Sequence, residues 1–220
     1  MAFGIRIKSE TGKTLYDSRE RNFGFIGSQV VALNRLSNTT LPTATITMPD
    51  PMTTLHFVRV ESVHSSTFSQ CALITQIKNN QLTFWWTGLF SVNVRVYFMG
   101  LGTSGIRPKY GAVARDENGR IVWSSSDVPL CVRRASIGGN AANPGTILVS
   151  GKSCAVMPQP VGWAGRGGFA GSIICNAMGF TDGIMMGGYG NFNGSGDWSF
   201  KDFMFPHATG QAYIETDILD

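Results

Sequence analysis

The chain has 220 residues, of which 43% are hydrophobic and only 15% are charged, with 27 glycines and a formal net charge of +4. Lys and Arg are scattered without a basic run, so the mild positive charge indicates solubility rather than nucleic-acid binding. Low charge combined with many Gly, Ser, Thr and Asn residues is typical of a β-rich structural protein that buries part of its surface in an assembly.

The chain gives no sign of export or of membrane insertion. Residues 1–8 lack the apolar segment of a signal peptide, and the most apolar window, 84–101, is interrupted by Asn93 and Arg95. The cysteines form no Cys-x-x-Cys pair, which argues against a zinc or redox motif. The sequence therefore predicts free thiols in a reducing cytoplasm. The four thiols are those of Cys71, Cys131, Cys154 and Cys175.

Two short segments predict β-hairpins of the same design. They are residues 4–18 (GIRIKSETGKTLYDS) and residues 111–125 (GAVARDENGRIVWSS). The dipeptide Asn118-Gly119 favours a type I′ turn, because both central residues of that turn need positive φ. Each segment also places a Glu opposite a Lys or Arg across the turn, and such a pair supports the strand register.

The same register predicts an aromatic residue opposite a smaller apolar one in each hairpin. Tyr16 falls opposite Ile7, and Trp123 falls opposite Ala114. Matched turns, charge pairs and aromatic positions indicate one architectural unit that is used twice. Downstream of the hairpins the two halves differ in sequence, so a strict tandem duplication of the whole chain is not expected.

Between the hairpins, short β-prone segments alternate with turn signals, a pattern typical of an antiparallel sandwich or barrel. No amphipathic helical stretch interrupts them, and together with the first hairpin they predict a sandwich of about seven strands. An apolar stretch at 23–36 holds one or two of these strands. The other predicted strands are 44–48, 55–61, 71–78, 82–86 and 92–98.

A Gly-rich stretch at 101–110 has the composition of a linker. It predicts an N-terminal β-sandwich-like domain at 1–100 and a C-terminal β-rich domain at 111–220. The predicted fold class is all-β, with antiparallel sandwich-like lobes and a Gly-rich, loop-rich C-terminal half. The strand candidates in that half are 146–150, 153–157 and 213–218.

Residues 161–196 combine many glycines with large aromatic residues. Glycine loses much conformational entropy on ordering, and the segment has little branched apolar mass to offset that cost. The sequence therefore predicts a segment that is mobile in the isolated chain and ordered against another subunit. The predicted interface residues are Trp163, Phe169, Tyr189 and Phe192.

No motif predicts catalysis. The glycines at 165–168 and 188–190 lack both Gly-Lys-Ser/Thr and a full Gly-x-Gly-x-x-Gly pattern, so they indicate tight turns rather than a phosphate site. No Gly-x-Ser-x-Gly elbow is present, and His56, His64 and His207 lack metal-ligand spacing. The sequence predicts a protein that is not an enzyme and has no catalytic residues, no metal site and no cofactor.

The hairpin sequences resemble those of a known class of proteins. Residues 4–18 look like the N-terminus of small uncharacterised tail proteins of tailed bacteriophages, and residues 118–129 (NGRIVWSSSDVP) are similar to a second motif in such proteins. Ser124 departs from its counterpart Asp17. The resemblance implies a virion component at the tail tip or baseplate, assembled in the host cytoplasm, with other tail proteins and further copies of itself as partners.

Two other functions stay open at this point. The aromatic residues of the C-terminal half also suit a receptor- or carbohydrate-binding tail-fibre module, because apolar sugar faces stack on aromatic rings. A host-surface receptor would then be a partner. A small hydrolase is the remaining class, since a Cys–His pair can be assembled from residues that are distant in sequence.

Overall fold

The computed structural model describes residues 6–8, 10, 12, 14–17, 23–35, 41–50, 52–101, 113–115, 121–124, 130–137, 144–165, 172–190, 203–206 and 210–220. Over these ranges the chain is almost entirely β-strand, and one 3-10 helix, Ser66–Gln70, is the helical element. This confirms the predicted all-β fold class.

The first half of the chain contains the strands that its alternating sequence predicts, with one long strand in the 23–36 segment. In the described residues up to Leu101 they are β1 (Arg6–Lys8), β2 (Thr14–Asp17), β3 (Phe23–Leu33), β4 (Thr43–Thr47), β5 (Thr54–Val60), β6 (Leu73–Lys78), β7 (Gln81–Trp86) and β8 (Val92–Leu101).

The second half contains the three predicted strands, here β12, β13 and β18, and several that the sequence did not predict. Its described strands are β9 (Val113–Arg115), β10 (Ile121–Ser124), β11 (Arg133–Ser136), β12 (Ile147–Ser150), β13 (Cys154–Val156), β14 (Pro160–Gly165), β15 (Ser172–Phe180), β16 (Gly183–Gly190), β17 (Phe203–Pro206) and β18 (Gly210–Glu215). Four of these, β14 to β17, lie in or beside the Gly-rich stretch.

Both predicted hairpins form, as β1–β2 and β9–β10, and their registers match position for position. Tyr16 lies opposite Ile7 and Trp123 lies opposite Ala114, as the sequence predicts. In the second strand of each hairpin, one residue has no partner in the first strand, and its position is equivalent in the two hairpins. Both hairpins therefore contain the same β-bulge. The two charge pairs predicted across the turns lie partly or wholly outside the described residues.

The strand pairing of the first half recurs in the second half. In the first half β8 is flanked by β3 and β5, and β7 is flanked by β4 and β6. In the second half β18 is flanked by β11 and β13, and β16 is flanked by β12 and β15. All eight pairings are antiparallel, so strands β1–β8 form a first repeat and β9–β18 a second. Strands β14 and β17 are additions outside β15.

Individual backbone hydrogen bonds confirm this equivalence. A two-residue turn joins β6 to β7 and another joins β15 to β16. The amide of Met48, directly after β4, donates to the carbonyl of Asn80 in the first turn at 2.8 Å. The amide of Gly151, directly after β12, donates to the carbonyl of Asp182 in the second turn at 2.7 Å. The repeat is therefore exact in topology, although the two sequences differ.

The two repeats share one sheet and one core. Val156 of β13 pairs antiparallel with Val58 of β5, and the two apolar clusters of the core each contain buried residues of both repeats. The ranges 1–100 and 111–220, which the sequence predicts as two domains, stay a prediction. They coincide with the two repeats, and in the described residues strands of both ranges share one sheet. Residues 102–110 of the predicted linker lie outside the described residues.

The three-stranded sheet β4-β7-β6 closes the core on one side. Alternate residues of β7 point inward, and the strand β16 of the second repeat contributes further buried side chains. The inward residues of these two strands include five that are fully buried, each 0% exposed: Leu82, Phe84, Trp86, Ile184 and Met186.

The expectation that 161–196 lacks a core does not hold for residues 175–180 and 183–188, which are buried. Glycine has a packing role there. A Cβ on Gly179 would overlap the carbonyl oxygen of Cys154, and a Cβ on Gly187 would overlap that of Cys71. These glycines therefore permit close approach of neighbouring backbones, which is a recognised use of glycine within strands.

We expect Gly179→Ala to lower the free energy of unfolding by about 1–3 kcal/mol, because the added methyl group meets rigid backbone. Gly210→Ala is the matched control, since its Cβ meets only the flexible side chain of Arg134. Urea denaturation of the two variants measures the difference. Equal stability of the two variants would contradict the close-approach role of Gly179.

Candidate functional site

A polar cluster lies where the two repeats meet, and it is centred on the buried side chain of Arg59 of β5. The Arg59 side chain donates to Glu61 Oε1 from Nε at 2.9 Å and from Nη2 at 2.6 Å. Its Nη1 donates to Asp220 Oδ2 at 2.6 Å. The same nitrogen also reaches Ser153 Oγ at 2.5 Å and Thr216 Oγ1 at 2.7 Å. Arg59 is only 3% exposed, so these partners replace water around a buried charge.

Two side chains of β8 complete the cluster. Arg95 Nη2 lies 3.2 Å from Glu61 Oε2, and the Tyr97 hydroxyl donates to Asp220 Oδ1 at 2.6 Å. Burial acts to raise the pKa of Asp220, but the hydrogen bonds from Arg59 and Tyr97 outweigh it and hold that pKa below its usual range. The hydrogen-bond donors of the cluster donate to the carboxylates and hydroxyls of the cluster itself. Its chemistry is therefore that of a structural clamp, which holds the segment after β18 against β5 and β8.

Because the pKa of Asp220 is lower in the folded chain than the usual value near 3.9, its ionised form stabilises the fold. That contribution is complete above the unfolded pKa and is lost as the pH falls through the folded pKa. We expect Asp220→Asn to be less stable than wild type at pH 7 and to lose less stability between about pH 5 and pH 2. Thermal unfolding across this pH range measures both effects. Asp217→Asn is the matched control, because Asp217 lies in the same segment and is not among the hydrogen-bond partners of Arg59 and Tyr97, so this variant should keep the stability of wild type at pH 7.

The histidines have different environments. His64 Nδ1 lies 2.8 Å from Asp182 Oδ2, and the His64 amide donates to Asp182 Oδ1 at 2.9 Å. This double contact ties the β15–β16 turn to the segment after β5. His56 has a buried Nε2 without a partner among the described residues, and burial lowers its pKa to about 4, so it is neutral at pH 7. His207 lies outside the described residues.

All four cysteines are unpaired, which confirms the predicted free thiols. Burial raises the pKa of Cys71 and of Cys175 to about 11 and that of Cys154 to about 12. The thiolate, which is the nucleophilic form, is therefore disfavoured at these three positions. Cys131 is exposed.

The structure places two of the four predicted interface residues in adjacent strands. Trp163 of β14 lies opposite both Ile174 of β15 and Phe205 of β17, and Tyr189 of β16 lies opposite the same Ile174. The backbone register thus aligns these four positions in one row across four strands. The interface role of Trp163 and Tyr189 stays a prediction. The other two predicted residues, Phe169 and Phe192, lie outside the described residues.

Strand β6 lies at an edge of the three-stranded sheet, a site that sequence reasoning missed. The β6–β7 turn has positive φ at both Asn79 (50°) and Asn80 (62°), as in a type I′ hairpin. In such a hairpin the residues beside the turn form a hydrogen-bonded pair, and the pairs alternate from there. The amides and carbonyls of Thr75 and Ile77 consequently point away from β7.

Observed contacts support this alternation. The carbonyl of Leu73, which also points away from β7, accepts a hydrogen bond of 2.8 Å from Asn176 Nδ2. In the part of the chain that the structure describes, the outward backbone groups of Thr75 and Ile77 have no such partner. The side chain of Ile77 is 45% exposed even though it lies on the same face of the sheet as buried Leu82. Among the described residues, the second half of β6 is therefore a strand edge without a covering strand, with exposed Ile77 on it and exposed Lys78 at its end.

A small groove continues this edge beside the first half of β6. It has a volume of about 130 Å³ and is lined by Ala72, Leu73, Ile74, Thr75, Pro158, Gln159 and Asn176. Asn176 is 6% exposed, and its Oδ1 has no partner among the described residues. A buried, unpartnered carboxamide oxygen favours a hydrogen-bond donor such as a backbone amide at this position. The one sequence signal for it is a single Asn within an apolar strand.

Comparison of the chain with protein-family models, with curated proteins and with solved structures gives no match. Within the described ranges, no group of three or more His, Cys, Asp or Glu side chains is placed to hold a metal ion. No helix in the same ranges has the length and hydrophobicity needed to cross a bilayer.

Proposed function

We propose that the protein is a structural component of a bacteriophage virion, at the tail tip or baseplate, and that it acts through protein–protein contacts rather than as an enzyme. The observation that carries the proposal is the uncovered edge of β6. Proteins usually protect strand edges with charges, prolines, bulges or covering elements, because a free edge recruits other strands. An edge with exposed Ile77 beside an apolar groove suits a protein that is covered in its assembly.

The use of the polar side chains supports a structural role. The Arg59 cluster joins β5 to the segment after β18, and the His64–Asp182 contact joins two loops. Three of the four thiols are buried, with raised pKa values. These groups contribute to holding the repeats together.

The two hairpins support the assignment to a phage tail. Their sequences carry the resemblance to tail proteins, and each forms a separate two-stranded sheet with the same register. A two-stranded hairpin is marginally stable alone in water and needs a surface to pack against. Ser124 at the end of β10 is already buried, and neighbouring subunits in a particle would cover the rest of each hairpin. The proposed partners are therefore other tail proteins, in a virion assembled in the host cytoplasm.

We expect mass spectrometry of purified particles of the source phage to detect this protein at a fixed ratio to known tail subunits. Antibody labelling in electron micrographs should mark the end of the tail that carries the tip or baseplate. Capsid proteins in the same sample provide the control for particle recovery. Absence of the protein from particles, with its recovery in the soluble lysate, would contradict the proposal. Saturable glycan binding that is lost in Trp163→Ala would instead favour the receptor- or carbohydrate-binding module.

A further inference from the structure

We propose that the β6 edge binds a second copy of this chain, and that the two β6 strands pair antiparallel about a two-fold axis at Gln76. The inference rests on the proposed function only in assigning this edge to protein contact. It names the partner and the register, neither of which the virion assignment requires.

The backbone groups of the edge complement themselves in this register. An antiparallel pair centred on Gln76 places Thr75 of one copy opposite Ile77 of the other, and the reverse. Both residues carry outward amides and carbonyls, as the hairpin alternation and the Leu73–Asn176 contact establish. Each of the two Thr75–Ile77 pairs therefore exchanges N–H···O bonds, and the outward groups of both residues gain partners. A shift by one residue would place inward-pointing groups in the contact instead.

The side chains also fit this register. Lys78 lies opposite Ile74 of the second copy, so the only charge in the pairing segment meets an apolar residue and not its own equivalent. Ile77, which is 45% exposed, would be covered by the added strand on the core-facing side. The result is a continuous six-stranded sheet with the order β4-β7-β6-β6-β7-β4, built from the three-stranded sheet of each copy. The contact is isologous, as the interfaces of most symmetric dimers are.

The second repeat shows how the equivalent edge is covered within the chain. Strand β15, which corresponds to β6, is paired antiparallel with β14 along its outer edge. Strand β14 comes from the connection between β13 and β15. In the first repeat the corresponding connection, between β5 and β6, forms the 3-10 helix Ser66–Gln70, and no strand of the described ranges pairs with the outer edge of β6. In the second repeat an antiparallel strand thus covers this edge. A second copy supplies an antiparallel strand to the edge of β6 through the two-fold symmetry.

Proline substitution tests the contact without disturbing the hairpin. Thr75→Pro removes an amide that points away from β7, so the β6–β7 ladder keeps its hydrogen bonds. Thr45→Pro is the matched control, because Thr45 has an outward amide on β4, at the opposite edge of the same sheet. In analytical ultracentrifugation at micromolar concentrations, we expect wild type and Thr45→Pro to be dimers and Thr75→Pro to be a monomer. Circular dichroism should show that all three are folded.

Introducing a charge at Gln76, on the two-fold axis, tests the register itself. Gln76→Lys and Gln76→Glu each place like charges side by side at the two-fold axis, and each should weaken dimerisation by up to about fivefold. An equimolar mixture of the two variants should form a heterodimer, because the charges are then opposite. A contact elsewhere on the surface would not give this rescue.

Three results would overturn the inference. They are a monomeric wild-type protein, a dimer that survives Thr75→Pro, and a mixture of the Gln76 variants that associates no better than either variant alone. A monomeric protein that is nevertheless found in purified particles would overturn the inference and leave the proposed function intact. A dimeric protein that is absent from particles would overturn the proposed function and leave the inference intact.

Discussion

The pairing of β5 with β13 and with β15 is the contact on which the rest of the structure depends, because it joins the two repeats into one sheet. The buried charge of Arg59 reinforces it. The guanidinium takes partners from its own repeat through Glu61 and from the other repeat through Ser153 and Thr216. Leaving the Arg59 charge buried without its partners is costly, because no water replaces them. Separation of the repeats would remove several partners at once.

The two repeats have the same topology but expose different surfaces. The inserted strand β14 covers the outer edge of β15, while no strand among the described residues covers the equivalent edge of β6. Both repeats carry the same hairpin at their start, outside the main sheet. In the proposed role, the duplicated architecture would supply a stable body, and the differences between its copies would supply the contact surface.

Sequence reasoning predicted the elements that have a strong local signal. Alternating apolar and polar residues located β4 to β8, and turn chemistry located both hairpins. The strands β15 and β16 were missed because residues 175–180 and 183–188 are buried on both faces, and such strands show no alternation. The glycines of 161–196 were interpreted as a source of mobility, whereas Gly179 allows a close backbone contact because it lacks a side chain.

The topological repeat and the β6 edge could not be predicted for a related reason. Antiparallel pairing depends on backbone groups, so the inward positions of β7 and β16 can differ in sequence, with Phe84 and Trp86 in one and Ile184 and Met186 in the other. An uncovered edge is a property of which strands are neighbours in space, and neighbours distant in sequence leave no local pattern. Asn176 shows the same limit, since its partner Leu73 belongs to the other repeat.

Native-state amide hydrogen exchange tests most directly whether the two repeats form one cooperative body. The most protected amides should lie in β8 of the first repeat and in β18 of the second, for example at Val96 and Ile214, which are 0% and 2% exposed. If the β5–β13 contact unites the repeats, these amides exchange only through global unfolding and report the same opening free energy. Two distinct opening free energies, with one repeat exchanging while the other stays protected, would show two independent lobes and contradict this account.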